Sequence, residues 1–489
     1  MKTLDRILSA AGAHPDKGAV RLYRSDGGVE SLTCGELLTR AEALADRLRE
    51  QGTGPVLTDA RQTPDSVVSI LACLMAGRPY VPLPPNAPPA RLQTMARLSG
   101  ATLMTAPDPV PDMGIPRMPA DRTAPLPPEP LRLSIKERYG EDGCAYILFT
   151  SGSTGRPKGV PVSRRSLDSF TGWISSPELF PPKEGMTVLN QALFSFDLSA
   201  ADLYFTLCGG HTLAVIDGPD ALLPALSEAD AAVMTPSLLR LLLLDRIFDA
   251  ARYPRLSCVY VCGETLSPGT ARRALTAFPK LRLINAYGPT EACSAVCAVR
   301  ITPEMADTLP VLPVGDPSRA AADIRIEEGE IVLRGDSVFG GYLPDPEAGD
   351  LTRSVFREGS VNGYRTGDLG ELRDGLLWFG GRRDSQIKYK GYRVETGDIE
   401  ENLRALPGVL DCAVIPKHSA AGEILALCAF VIRDPDSNAL PKEPDAAERI
   451  LKEALSARIP AYMIPKTIRF PDRLPVTENG KTDRGALVP

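Results

Sequence analysis

Histidine is scarce, at three residues scattered over positions 14, 211 and 418, and none of the ten cysteines stands in a CxxC pair. Such spacing suggests neither a zinc site nor a disulfide framework, and the thiols are expected to be reduced and mostly buried. A basic excess is also missing. Asp and Glu outnumber Lys and Arg by 61 to 55, for a formal charge of −6. Without a general cationic surface the chain lacks the counterion-release grip that nucleic-acid binding needs, so nucleic acid is not an expected partner. Lys2, Asp5 and Arg6 occupy the stretch where a secretory signal would need apolar side chains, and no uninterrupted apolar run is long enough to span a bilayer. Membrane insertion is not expected, and the expected compartment is the cytoplasm.

What is present is the composition of a folded protein, 43% apolar and 24% charged. At 489 residues the chain is too long for one core, which predicts a composite N-terminal region and at least one further domain. Residues 32–49 repeat apolar side chains at helical spacing behind a cap at residues 33–37. Prolines crowd residues 79–89 and 106–130, which read as irregular connections. Strand-like runs at 145–149, 256–261 and 281–285 alternate with helical stretches such as 236–244, predicting an α/β layered fold. Near the end, helical 398–406 and 446–458 enclose strand-like 409–414 and 425–432, a small α+β unit.

After the strand-like AYILF comes TSGSTGRPKG, residues 150–159. Glycines let backbone N–H groups turn onto an anion, hydroxyls add donors and Lys158 adds charge, so this loop can wrap a polyphosphate. It lacks the GxxxxGK[ST] spacing of a Walker A loop. A merely flexible surface loop would not require this order of residue types.

This stretch resembles the phosphate-loop signature of the adenylate-forming superfamily of acyl-CoA synthetases, luciferases and nonribosomal adenylation domains. Further signatures follow in order: NAYGPTE at 285–291, YRTGD at 364–368, GRRD at 381–384, QIKYKGYRVE at 386–395 and PVTENGKTD at 475–483. The resemblance runs from about residue 30 to the end. It implies a large multi-subdomain N-terminal domain, residues 1–383, and a small mobile α+β C-terminal domain, residues 384–489. It further implies an ATP site of Thr150, Ser151, Gly152, Ser153, Thr154, Gly155, Lys158, Asn285, Ala286, Tyr287, Gly288, Thr290, Asp368, Arg382 and Lys481. Glu291 would help hold Mg²⁺, the Asp368 carboxylate would accept from both ribose hydroxyls, Asp384 would be the hinge, and Gly391 would line the pantetheine tunnel. Arg382, rather than its neighbour Arg383, takes the catalytic position after Gly381.

The segment FDLS at 196–199 resembles the signature of amino-acid-activating members, in which Asp197 pairs with the substrate ammonium. The plainer alternative is that Asp197 caps a helix beginning at Leu198; the two roles are compatible, and the family context favours ammonium recognition. Residues 190–199 with VCGE at 261–264 and YMIPK at 462–466 resemble one branch, the D-alanine–carrier-protein ligases. In that branch the cysteine matching Cys262 crowds the side where an L side chain would project; a plain buried thiol is the other reading. Leu198, Ala201, Cys262, Gly263, Ala286, Ser294 and Lys481 complete the implied substrate site. Ser294 departs from the apolar residue expected for alanine, and residues 395–398 lack the usual bulky side chain. No segment carrying a carrier protein's attachment site follows residue 489, so the acceptor is expected to be a separate phosphopantetheinylated carrier protein. The reading is therefore an ATP- and Mg²⁺-dependent ligase for a small amino acid. The alternatives are a natural-product adenylation enzyme for another amino acid, an acid–CoA ligase of the same fold, and a nucleotide-binding module without catalysis.

Attack of a carboxylate on the α-phosphate joins two anions, and a cation in the closed site lowers that barrier. Lys481, a point charge on a flexible stem, could supply that cation; NGK alone reads as a solvated turn, and it is the company of the other motifs that makes Lys481 the candidate the resemblance implies. Lys481→Ala should cut adenylate formation by orders of magnitude, on the order of the 10²–10³ seen for such donors. Pyrophosphate exchange reads the loss and circular dichroism the intact fold; near-normal exchange would remove Lys481 from the mechanism.

Overall fold

The computed structural model describes residues 2–105, 113–118, 143–152, 156–245, 248–346, 354–383, 386–419, 424–435, 437–475 and 484–489. Ser153, Thr154, Gly155, Asp384 and Lys481 lie outside these, as does most of the proline-rich stretch 106–130.

Two sheets and their helices make the N-terminal core. The larger has eight strands in the order Cys297–Ile301, Arg282–Tyr287, Cys258–Val261, Ala231–Met234, Thr187–Asn190, Thr212–Ile216, Gly18–Tyr23 and Val29–Thr33. Its six central strands run parallel and its two edges antiparallel. The second has five strands in the order Leu103–Met104, Val56–Asp59, Tyr80–Leu83, Cys144–Thr150 and Lys158–Ser163. Parallel strands need crossover helices that cover the sheet faces. The helices Cys34–Glu50, Pro64–Ala76, Arg164–Ile174 and Ser199–Gly209 accordingly share one apolar cluster with strands of both sheets. Thr33 and Glu36 form a reciprocal capping box at the start of Cys34–Glu50, at 3.2 and 2.8 Å.

The irregular reading of residues 79–89 needs correction, because Tyr80–Leu83 is a strand and Pro89 opens the helix Pro89–Ser99. Beyond Tyr80, which meets Tyr146, this strand is paired on one side only, and that leaves room for Pro82, which has no N–H to give. Proline at the first turn of a helix forfeits no intrahelical bond.

A third sheet follows, built from Asp323–Glu327, Glu330–Arg334, Val361–Arg373, Val355–Glu358 and Leu376–Arg382 around Phe339, Tyr364 and Leu377. The C-terminal unit starts with the hairpin Gln386–Tyr389 and Tyr392–Glu395. It continues with the helix Thr396–Arg404, the paired strands Val409–His418 and Ile424–Arg433, the helix Pro444–Ser456 and the strand Thr467–Arg469. These pack around their own core of Ile399, Leu403, Val414, Leu427, Leu451 and Leu455. The chain is thus a large α/β domain carrying a small α+β one. Of the ten free cysteines eight are buried and two half-buried. Among the described residues no helix is long and apolar enough to cross a membrane.

Asp230, at 0% exposure, ties the central strands together. Its carboxylate accepts from the Thr187 N–H at 2.8 Å, Lys183 Nζ at 2.6 Å and Arg255 Nη2 at 3.0 Å. Burial alone would raise this carboxyl, but those three donors outweigh it and hold it below the usual carboxylate range. A depressed carboxyl stabilises the fold above its unfolded pKa, and the contribution is lost as pH falls through the lower folded value. Asp230→Ala should therefore cost about 1–3 kcal/mol at pH 7, because it orphans the Thr187 N–H, and less in acid, once the pH has fallen through the lowered folded value. Denaturant unfolding at both pH values tests this; a deficit that does not shrink in acid contradicts the ionised pairing.

Candidate active site

The larger sheet's parallel strands end at one edge, where ligand crevices form in open α/β sheets. Thr187–Asn190 leads into the loop that carries Ser195 and Asp197, Cys258–Val261 into Cys262 and Gly263, and Arg282–Tyr287 into Gly288 and Thr290. Cys144–Thr150 of the second sheet delivers Ser151 to the same cavity. Thr150, Ser151, Asp197, Leu198, Cys262, Gly263, Gly288, Thr290, Ser294, Asp368, Arg382 and Gly391 all line it. Residues from more than 240 positions of sequence therefore share one wall, as the motif order anticipates.

Asp197 does not cap a helix. The helix begins at Ser199 behind Leu198 with no side-chain capping bond, and the Asp197 carboxylate instead accepts from the Thr290 hydroxyl at 2.5 Å. Burial pushes this carboxyl up, against the Thr290 bond and the nearby cations Lys388 and Arg393, which pull it down. Cys262 lines the cavity with its thiol pushed up to about 11 by burial and its Sγ 3.9 Å from the Ser294 carbonyl oxygen.

Other expected site residues stand behind the wall. Ala201 and Ala286 are buried in the core rather than lining the cavity. Asn285 spends its amide on the Pro313 carbonyl at 2.8 Å. The Tyr287 hydroxyl donates to Asp368 Oδ2 at 2.6 Å, and Arg382 donates to Oδ1 of the same carboxylate, so both Asp368 oxygens carry protein partners. Gly152 is required by close packing, because a Cβ there would lie 2.2 Å from the Arg156 carbonyl oxygen.

The hairpin 386–395 closes the cavity from the C-terminal side. The Ser151 hydroxyl donates to the Arg393 carbonyl at 2.7 Å and accepts from the Glu395 N–H at 3.0 Å. Lys158 Nζ sits 3.7 Å from Glu395 Oε1. Glu264 spans the junction, accepting from the Ser237 N–H at 2.9 Å and the Gly391 N–H at 2.7 Å. Gly391 has φ +81°, and a Cβ on it would meet Thr235 Cγ2 at 2.7 Å. Tyr392 stacks on Tyr462 at 3.6 Å and meets the Phe196 ring edge-on at 4.3 Å. Arg393 Nη1 donates to Glu291 Oε2 at 2.5 Å, and the Tyr342 hydroxyl donates to Oε1 at 2.5 Å. Burial would raise Glu291, but Arg393 first and the Tyr342 bond after it hold its carboxyl below the ordinary range. Among the described residues no group of three or more His, Cys, Asp or Glu side chains could hold a metal.

Sequence reading alone does not single out Arg393, Lys388, Tyr392, Arg91 or Glu264. The hairpin's run of cations was the available signal, but their partners lie far away in the chain.

A glycine-rich loop and a strand-end cavity, closed by a small C-terminal unit, define an adenylate-forming ligase. The chain matches the AMP-binding enzyme family over residues 8–343 and the AMP-binding enzyme C-terminal domain over residues 398–481, and it belongs to that family. It is 35% identical to a protein of Bacillus licheniformis named D-alanine--D-alanyl carrier protein ligase, covering 100% of this chain and 99% of that one. It is 37% identical to a Bacillus velezensis protein of the same name, covering 99% and 98%. Among solved structures it is similar to a holo NRPS protein containing adenylation and PCP domains, bound to a vinylsulfonamide inhibitor. There the TM-score is 0.82 and the identity 27%, over 99% of this chain and 83% of that one. It shares the fold of the Vibrio cholerae adenylation domain AlmE in complex with glycyl-adenosine-5'-phosphate, with TM-score 0.83 and 23% identity over 98% and 96%.

Breaking one partner of a buried ion pair strands the other charge, at a cost of about 3–5 kcal/mol. Arg393→Ala should therefore undock the hairpin while leaving the N-terminal core folded. Hydrogen exchange in 386–395 should rise markedly, with strands such as Cys258–Val261 unchanged; unchanged exchange in the hairpin would show that the pair does not hold it.

Proposed function

We propose that the chain uses ATP to convert a small α-amino acid into its adenylate and then transfers the acyl group to the phosphopantetheine thiol of a separate carrier protein. The observation that carries this reading is the Asp197 carboxylate, which lines the cavity and is oriented by Thr290 rather than spent on a helix cap. A fixed carboxylate there rewards an α-ammonium and discriminates against plain acids. The names of the relatives support D-alanine and a carrier protein as the chemistry of this branch. An ATP-consuming activity of this kind fits the cytoplasm.

In this reading Ser151, Gly152 and Lys158 belong to the loop that cradles the phosphates, together with Ser153, Thr154 and Gly155. Asp368 receives the ribose once Arg382 and Tyr287 yield its oxygens. Glu291 suits Mg²⁺, which is commonly held by one or two carboxylates together with substrate phosphates and offsets their charge. Its carboxylate serves that purpose only when Arg393 has withdrawn. Lys481 supplies the cation for adenylation, and Gly391 leaves room for the pantetheine arm. The two half-reactions make different demands on residues 384–489, so we assign Asp384 as the pivot between units 1–383 and 384–489. Hinges are few residues that absorb a large φ/ψ change.

Asp197→Asn tests the assignment. Loss of the counter-charge should raise KM for the amino acid about 10–100-fold, the range of a charged hydrogen bond, with KM for ATP little changed. Burial raises the Asp197 carboxyl, so the ionised form that pairs with ammonium is lost as pH falls through a value above about 3.9. kcat/KM for the amino acid should accordingly show an acid limb that the Asn variant lacks. Equal rises in both KM values, or an identical limb in the variant, would count against ammonium recognition.

A further inference from the structure

The turn that follows Thr290 in the cavity wall carries a hydroxyl without a use. Ser294 is 2% exposed and lines the cavity, yet its Oγ has no hydrogen-bond partner among the described residues. Ser195, on the loop before Asp197, also lines the cavity and has a second buried hydroxyl with no hydrogen-bond partner among the described residues. Buried polar groups in folded proteins are nearly always satisfied, and the exceptions call for a reason.

The backbone adds an independent observation. Ser294 has φ 107° and follows Cys293 at φ 66°, so two consecutive non-glycine residues occupy the region that L side chains avoid. Such conformations persist where surrounding structure enforces them, and they cluster at binding sites. Here the turn is tied down by the Ser294 N–H on the Pro289 carbonyl at 3.4 Å and by Cys262 against the Ser294 carbonyl at 3.9 Å. It places a polar side chain among Ala292, Cys293 and Ala295, all of them buried. The same short turn carries Thr290, whose hydroxyl orients Asp197. A substrate held at Asp197 by its ammonium is therefore bounded by the turn that carries Ser294.

We propose that the amino acid activated is of serine type, an alanine-sized side chain bearing a hydroxyl, and that Ser294 is the residue that selects it. This rests on the amino-acid-adenylating reading above. An apolar pocket cannot strongly reject an added hydroxyl, whereas a site built to hydrogen-bond one rejects the analogue that lacks it, because its own polar group is then left unpaired. Ser294 supplies that asymmetry in favour of the hydroxylated substrate.

The test is ATP–pyrophosphate exchange by the full chain with glycine, both enantiomers of alanine and both enantiomers of serine, followed by the same panel on Ser294→Ala. The wild type should favour serine over alanine of the same hand by about tenfold or more in kcat/KM. Ser294→Ala should collapse that ratio, with its melting temperature confirming the fold. A wild type that prefers alanine or glycine overturns the proposal without any variant, and so does a serine-to-alanine ratio that Ser294→Ala leaves unmoved. Exchange with plain carboxylic acids but with no amino acid would overturn the amino-acid reading and this inference with it.

Discussion

The buried pair of Arg393 and Glu291 joins the two parts of this molecule at the cavity. Glu291 lies on the turn that follows a central strand of the large sheet, and Arg393 on the hairpin that opens the C-terminal unit. Neither charge is tolerable alone at that depth, so wherever the pair forms, the hairpin is fixed against the cavity. Ser151 on the Arg393 carbonyl and Glu264 on the Gly391 N–H then have their positions set by the same docking.

The pair also belongs to a wider pattern. Asp368 is matched by Arg382 and Tyr287, Glu395 faces Lys158, and Glu291 faces Arg393 and Tyr342. Each carboxylate proposed to serve nucleotide or metal thus already has a donor of its own. Such a site is electrostatically complete in this arrangement, so under the proposed function an incoming triphosphate would compete for the cations Lys158, Arg382 and Arg393. In that reading, exchange of partners rather than creation of new charge would make phosphate binding and hairpin docking alternatives.

The sequence made part of this readable. The strands at 145–149 and 281–285 were legible because apolar runs bounded by turn residues are a local signal. The strand Val361–Arg373 was not, since VNGYRTGDLGELR mixes three glycines with charges, and only pairing on both sides makes it a strand. Asp197 was ambiguous for a related reason. Its local context fits a cap, and only Thr290, 93 residues away, decides against it. Ala201, placed by family spacing, and Ala286, placed by its motif, are buried in the core, because neither signal says which face of a helix or strand looks inward. Arg393 could be read as a cation in a basic hairpin, but not as the partner of a glutamate 102 residues earlier.

The composition of the junction bears on whether the units can part. The C-terminal unit keeps a hydrophobic core of its own, from Tyr389 to Ile468, so leaving the cavity would not open that core. What crosses the junction is largely polar: Ser151, Glu264, Arg393 with Glu291, and Arg91 with Asp398 at 3.5 Å. The apolar share includes Tyr392 between Phe196 and Tyr462. Polar groups that part from one another bond to water instead, so such an interface favours reversible docking, whereas a continuous apolar seam would weld the units together. The buried ion pair supplies the specificity of the docked arrangement, and its desolvation cost keeps the net gain from docking small. On the proposed reading, a hinge at Asp384 would therefore have little apolar attraction to work against.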